Sequence, residues 1–477
     1  MGHCSWLMLK YPSDSAAEML MCTAFQSGLH RWASWQAQSI NRRILSALMA
    51  VGGITMCVKL VAGVKDMVIA MQFGTGDALD AFLIAFVLPA FALYLIGSSL
   101  NAALIPTYIQ VQAEEGAQAA QHLLSSVMVW TIGILVAVSL LLALASPYLF
   151  PLMGSGFTAG KLALAQSLYY IMLPTLVLNG IATIWGALLN ACDRFAVAAI
   201  VPVMTSLVTI VIVVGMAERW DSYTIALGLT VGALVETAVL GWVLSREGVS
   251  LVPRWHGASA AVKQVMKQYI PLVASAFMMG GTTLVSQSMA ARLGSGSVSA
   301  LSYGNKVTSL MLGVGAVAVS TAVLPHFSRL VAVRDWHGLR HTLFTYSGGL
   351  LLSTLPVTAI LIYYSEPVTA LVFQRGAFSA ADTQLVGQVQ AMYLLQVPFY
   401  VVSMLFVRLI SALKANQVFI WANAINLSMC ILLTYALMQR FGVVGVALAT
   451  SLMYVISCGF LLCVSFRLMR AKAEGQA

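Results

Sequence analysis

Three observations predict an all-α polytopic membrane protein, with about twelve transmembrane helices in two parallel six-helix bundles. Of the 477 residues, 60% are hydrophobic and 9% charged, where a soluble domain carries about 25% charged residues. That is too little polar surface to solvate a globular chain of this size. Apolar stretches recur along the sequence, each meeting the ~20 residues that a helix needs to cross the hydrocarbon. The chain also repeats itself at offsets of 219–224 residues, and one repeat holds an even number of spans.

In chain order, residues 1–41 have short apolar patches, such as Met19–Phe25, but no sustained apolar run with a small-residue cleavage site. They read as a poorly ordered cytoplasmic extension. Six spans follow, at 44–72, 78–105, 123–148, 162–189, 195–214 and 223–244, within an N-terminal bundle of 42–245. A basic cytoplasmic linker of 246–268 comes next, within SREGVSLVPRWHGASAAVKQVMK (Ser245–Lys267). Its mixed basic and apolar character predicts a short amphipathic helix along the membrane surface. The C-terminal bundle of 269–468 carries spans at 269–289, 298–324, 344–363, 386–409, 418–437 and 443–466, and a tail of 469–477 ends the chain.

Basic residues set the orientation. One set of connections carries Arg42, Arg43, Arg194, Arg246, Arg254, Lys263, Lys267, Arg329, Arg334, Arg340, Lys414, Arg467, Arg470 and Lys472; the other carries only Lys161, Arg219, Arg292, Arg375 and Arg440. The positive-inside rule then places both termini of this multi-pass chain in the cytoplasm. The repeat pairs FGTG (Phe73–Gly76) with LGSG (Leu293–Gly296), and AALIP ending at Pro106 with TAVLP ending at Pro325. It also pairs Leu173-Pro174 with Val397-Pro398, and LNACDRF ending at Phe195 with LKANQVF ending at Phe419. Six spans per repeat give both halves the same orientation, with a site expected between them.

Polar residues within the spans mark that site. The first span, Ile44 onward, contains Lys59, Lys65 and Asp66, and a charge at the centre of a spanning helix costs roughly 2.5–3.5 kcal/mol on insertion scales. Lys59 and Asp66 are seven residues apart, so they share one helical stripe. That stripe is expected to face a wet cavity or an ionic partner; Asp66 and Glu236 are the carboxylates within reach of this reasoning. Asp80 opens the second span, Glu236 lies in the sixth, Gln287 late in the seventh, and Asn305 and Lys306 in the eighth. Glu236 and Asp66 are the candidates for ion coupling. Asn101, Asn423 and Asn426 read as hydrogen-bonding glue between helices, and Gly228-x-x-x-Gly232 as a packing motif. A lysine-rich interior favours an anionic group, and phosphate or diphosphate suits the point charge of lysine.

Other classes are disfavoured. The net charge of +9 is spread over loops without aromatic-basic clusters, so it reads as topogenic, with no nucleic-acid partner. The seven cysteines form no CxxC pair, and neither a metal site nor a disulfide framework is expected. No GxSxG, HExxH or P-loop occurs, which points to a transporter and away from an enzyme. No cofactor is expected; the driving force would be the membrane potential or an ion gradient.

Three runs resemble the MviN/MurJ family, the lipid II flippases of the MOP exporter superfamily. They are VKDMVIAMQFGTGDALDAFLIAFVLP (Val64–Pro89), LSYGNKVTSLMLGVGAVAVSTAVLPHFSRL (Leu301–Leu330) and LVFQRGAFSAADT (Leu371–Thr383). The resemblance in order and spacing runs from about Arg42 to Arg467. It implies the MOP flippase fold, alternating access, and translocation of an undecaprenyl-diphosphate-linked saccharide across a bacterial inner membrane. It further implies that Lys59, Lys65, Asp66, Asp80, Asn305 and Lys306 line the substrate cavity, with Lys where the family usually has Arg. Such a change removes the planar bidentate fork.

Two departures accompany this likeness. Where the family has a twin arginine after LPN in helix two, this chain reads Leu88-Pro89-Ala90-Phe91-Ala92-Leu93-Tyr94. The family also commonly carries fourteen helices, against twelve here. These imply a divergent member handling either a lipid II-like precursor or another lipid-linked glycan, such as an exopolysaccharide repeat unit. The expected partners are that glycan lipid, the surrounding membrane lipid and glycan-assembly enzymes. A cation-coupled small-molecule exporter of the same superfamily is the second reading, and a non-transporting membrane scaffold the third.

Overall fold

The computed structural model describes residues 40–191, 194–247, 253–257 and 259–474. Among these residues the regular structure is helical, with no strand. The expected extension of 1–41 lies outside the described residues except for its last two, which open the first helix. In the first half, α1 (Ile40–Phe73), α2 (Asp77–Glu114), α3 (Ala117–Met153) and α4 (Ala159–Ala191) are single long helices. The fifth span is split into α5 (Phe195–Ile200) and α6 (Val203–Trp220), and α7 (Tyr223–Arg246) closes the half. The second half holds α8 (Ala260–Ala290), α9 (Ser297–Ala332), α10 (Trp336–Tyr363), the short α11 (Ser365–Phe373), α12 (Ala380–Leu394), α13 (Val397–Ala412) and α14 (Val418–Glu474).

Nine helical stretches among the described residues are long and apolar enough to cross a membrane, and the one over Val418–Lys472 contains two expected spans. That stretch breaks at Gly442, whose φ of 57° and ψ of −137° turn the chain back on itself. A residue with a Cβ rarely adopts that conformation. The helices α1 and α9, 34 and 36 residues long, supply the remaining two spans. The twelve expected spans are therefore all present as helix.

Equivalent neighbours recur in the two halves. In the first, α2 packs on α4, α4 on α7, and α1 on α6; in the second, α9 packs on α12 and α13, these on α14, and α8 on α14. The parallel repeat is thus a structural one. Its proline pairs behave differently: Pro174 sits inside the continuous α4, whereas Pro398 opens α13 just after the break at Leu395–Gln396. Proline is well tolerated in a first helical turn, where no intrahelical donor is lost.

The linker departs from expectation. Residues 253–257 are not helical, and Lys263 and Lys267 belong to the first turns of α8. Ser259 caps that helix by accepting from the Val262 amide. The extended part is tied to α3: the Ser125 hydroxyl donates to the Arg254 carbonyl at 2.8 Å, and the His256 amide donates to the Ser126 hydroxyl at 3.2 Å. The hydroxyls of Ser125 and Ser126 on α3 thus satisfy linker backbone groups over 253–257, where no helix forms.

Gly228 and Gly232 let α7 lie directly on α6, where a Cβ would come within 3 Å of the Thr209 and Thr205 Cα atoms. A Gly232→Leu substitution should cost about 1–3 kcal/mol by overpacking. Thermal denaturation in detergent should show a clear loss relative to Gly160→Ala, a position with open space around it. Equal stability of the two variants would contradict this packing.

Candidate functional site

At one end of the bundle the turns of the two halves close on each other. The FGTG turn meets its own repeat, since Gly296 approaches the Thr75 carbonyl. The Ala377 amide donates to the Met71 carbonyl at 2.8 Å, and the Thr75 hydroxyl donates to the Asp382 carboxylate. Gly376, at φ 60°, sits where any Cβ would overlap the Met71 carbonyl. Asp382 is itself held by a capping box with Ser379 at the start of α12.

Asp80 is the centre of this seam. Its side chain is fully buried. The Gly296 and Ser299 amides, at the N-terminus of α9, each donate to it at 2.8 Å. Lys161 donates to Asp80 at 3.0 Å and to Asp77 at 2.6 Å, with its ammonium 4.0 Å from the Phe157 ring centroid. A carboxylate from the first half thus caps the dipole of a helix from the second. In the repeat register Asp77 and Asp80 correspond to Ser297 and Ala300, so α9 has no carboxylate of its own there.

One further ionic group joins the halves. Lys65 lies 3.3 Å from Asp66, and Lys306 reaches the other oxygen of Asp66 at 2.6 Å. The triad carries one net positive charge, and the Lys306 side chain keeps 41% of its surface exposed. An anion can therefore reach it without unfolding the pair.

Lys306 and Asn305 line a polar pocket of about 280 Å³ with Ser286, Gln287, Gln396 and Thr450. This pocket shares Thr282, Thr283, Gln287, Met453 and Tyr454 with a larger cavity of about 720 Å³. The larger cavity lies between the halves: α2 contributes Phe91 and Tyr94, α8 Met279, α13 Tyr400, and α14 Asn426 and Tyr454. Among the described residues, Lys306 is the one charged residue in the two linings.

Comparisons with known proteins match this architecture. The profile of the family described as lipid II flippase MurJ matches residues 69–474. The chain belongs to this family. A probable lipid II flippase MurJ of Synechocystis is 27% identical over 428 residues, covering 86% of this chain and 79% of the relative. One from Rhizobium meliloti is 28% identical, covering 76% and 70% respectively. Among solved structures, a lipid II flippase MurJ in an inward closed conformation superposes with a TM-score of 0.75 at 24% identity, covering 87% of each chain. An inward-facing multidrug resistance MATE transporter of the MOP superfamily gives 0.72 at 13% identity, covering 90% of this chain and 99% of that one. These two show the shared fold.

The expected site residues divide into separate places. Lys65, Asp66 and Lys306 come together, and Asn305 adjoins them in the polar pocket. Lys59 is exposed and, among the described residues, makes no ion pair. It stands about 9 Å along α1 from Lys65 at 1.5 Å per residue, so the proposed pairing with Asp66 or Glu236 does not form. Asp80 is committed to the seam and is not a cavity residue in this structure. Glu236, half-buried, accepts from the Thr205 hydroxyl at 2.5 Å between α6 and α7, and lines neither cavity. Asn423 does act as glue, donating to Ser275 at 3.0 Å. The side chain of Asn101 lies outside the described residues.

Lys161 and the cavity tyrosines escaped the sequence reading. Lys161 looked like a loop charge, although its place in the first turn of α4 on the lysine-poor side was a signal. In the sequence Tyr94 marks only a missing cation, and its place in the cavity wall comes from packing.

Asp80→Asn should weaken the seam by about 1.5–3 kcal/mol, because the Gly296 and Ser299 amides lose their charged acceptor while Lys161 keeps Asp77 at 2.6 Å. In a background lacking the native cysteines, Ala300→Cys, fully buried beneath the seam, should become reactive to a water-soluble maleimide when Asp80→Asn is added. Unchanged protection would contradict the latch.

Proposed function

We propose that this chain translocates an undecaprenyl-diphosphate-linked saccharide across the bacterial inner membrane by alternating access. The cargo is a lipid II-like peptidoglycan precursor or an exopolysaccharide repeat unit. The observation that carries this reading is the Lys65–Asp66–Lys306 triad, an accessible site of net positive charge bridging the two halves. A diphosphate entering the polar pocket competes with Asp66 for Lys306. Each ammonium–phosphate contact is a charge-assisted hydrogen bond, in the range of about 1.5–3 kcal/mol. Releasing Asp66 from Lys306 removes an ionic tie between α1 and α9, so binding is coupled to the relation between the halves.

The charge asymmetry of the loops puts both termini in the cytoplasm and the Asp80 seam on the outer side. Closure of that seam then corresponds to access from the cytoplasm, and its opening to release outside. The two cavity linings contain no Asp or Glu among the described residues. That disfavours export of small cations, which needs a countercharge, and favours the membrane potential as driving force.

Depleting a host's lipid II flippase and expressing this chain tests the reading. Rescue assigns the peptidoglycan precursor; failure with the protein inserted at normal abundance assigns another lipid-linked glycan. In either case Lys306→Ala should lower translocation by about tenfold or more, equivalent to about 1.4 kcal/mol, with Lys306→Arg retaining most of it. Full activity of Lys306→Ala at equal abundance would overturn the proposal.

A further inference from the structure

The linker between the halves carries a contact that neither the ionic triad nor the cavities use. At the end of the molecule opposite the Asp80 seam, His122 on α3 and His256 in the linker stack their imidazoles. The ring centroids are 4.1 Å apart and the planes differ by 20°. Both side chains are exposed, so protons reach them from solvent. Beside the stack the linker backbone is pinned to α3. Ser125 accepts from the Arg254 amide at 2.6 Å and donates to the Arg254 carbonyl at 2.8 Å, while Ser126 accepts from the His256 amide at 3.2 Å. The helix α8 begins at Ala260, directly beyond this segment, and its Tyr269 meets Trp130 of α3 edge to face at 5.2 Å. Docking of the linker therefore holds the start of the second half against the first.

Two histidines at this spacing make a contact that depends on protons. Two neutral rings stack, and a neutral ring accepts a charged one, but two charged rings repel. Histidine is the side chain that changes charge between about pH 5 and 8. The neighbouring elements bring mostly cations: Arg254 in the linker, Lys263 and Lys267 on α8, and Arg246 at the end of α7. Their acids are Glu114 and Glu115 at the end of α2, and Glu247 after α7. Glu247 is engaged by Arg194 at 2.9 Å, and Glu114 accepts from Gln110 at 3.1 Å. Among the described residues, no carboxylate forms an ion pair with either imidazole. Nothing in the contact offsets a second proton. The serine hydroxyls do not titrate in this range, so the imidazole pair supplies the response.

We propose that His122 and His256 form a proton-sensitive clasp, which docks the linker on α3 and releases it when both imidazoles are charged. The sign follows from the repulsion. Docking is strongest at the alkaline end of the histidine range and is lost as the pH falls. Release frees the backbone of Arg254 and His256 from α3 and lets the start of α8 move relative to the first half. The clasp is independent of what the chain carries.

Hydrogen exchange on the full-length protein in nanodiscs of zwitterionic phospholipid tests this at low salt. The readout is the protection factor of the Arg254 and His256 amides, which corrects for the intrinsic effect of pH on exchange. In the wild type, protection should fall about fivefold or more between about pH 8 and pH 5, the factor that two like charges about 4 Å apart give in water. High salt should reduce that fall. His122→Phe and His256→Phe, which keep a ring that takes no proton, should each hold their protection at both pH values. His341→Phe changes the repeat counterpart of His122, 219 residues on, and should leave the wild-type fall in place. Ser125→Ala should lose protection at both pH values. Unaltered exchange within α3 and α8 is the folding check for every variant. No fall in the wild type, an equal fall in both phenylalanine variants, or full protection in Ser125→Ala would each overturn the clasp.

Discussion

The carboxylate of Asp80 is the interaction on which the arrangement of the two halves depends. A fully buried charge is costly unless every lone pair finds a donor. Here the donors come from two amides at the start of α9 and from Lys161. The second half supplies the helix dipole, the first supplies the anion, and neither is satisfied without the other. The strict geometry of the neighbouring turns follows from this requirement. Gly74, Gly376 and Gly156 each let backbone approach backbone across the seam, where a Cβ would overlap the opposing chain.

Charge within the membrane is divided between two tasks. Asp77, Asp80 and Lys161 form the closure, while Lys65, Asp66 and Lys306 form a more exposed ionic bridge between α1 and α9. Between the halves lies a larger space with no charge, walled by aromatic rings and amides. The departure from the twin-arginine pattern at Leu93 and Tyr94 belongs to this division. Tyr94 faces the cavity and Leu93 packs into the core of the first half. In this chain α2 therefore contributes shape to the cavity, and the cationic groups are left to α1 and α9.

Much of this was legible beforehand because membrane helices leave strong one-dimensional signals. Length and apolarity located all twelve spans, since the backbone in hydrocarbon has few alternatives to helix. The repeat offsets located the parallel halves, and the family-like runs located Lys65, Asp66 and Lys306. Pairing was not legible. Lys59 and Asp66 share a helical stripe, but Asp66 is drawn to Lys65 and Lys306 and leaves Lys59 alone. Asp80 and Lys161 are 81 residues apart, and nothing local connects them. The linker misled for a related reason: its composition suits an amphipathic helix, whereas Ser125 and Ser126 on α3 offer its backbone better partners.

By itself the sequence determined the helical class, the number of spans, the parallel repeat and the positions of the intramembrane charges. Each of these follows from local composition or from periodicity along one chain. Only the tertiary structure decided which charges seal the molecule and which remain open to a ligand, because that depends on the partner each one meets across the two halves. The tyrosine wall belongs to the same category. Aromatic residues are common in membrane helices, and only the packing of four helices brought Tyr94, Tyr400, Tyr454, Gln287 and Asn426 around one cavity.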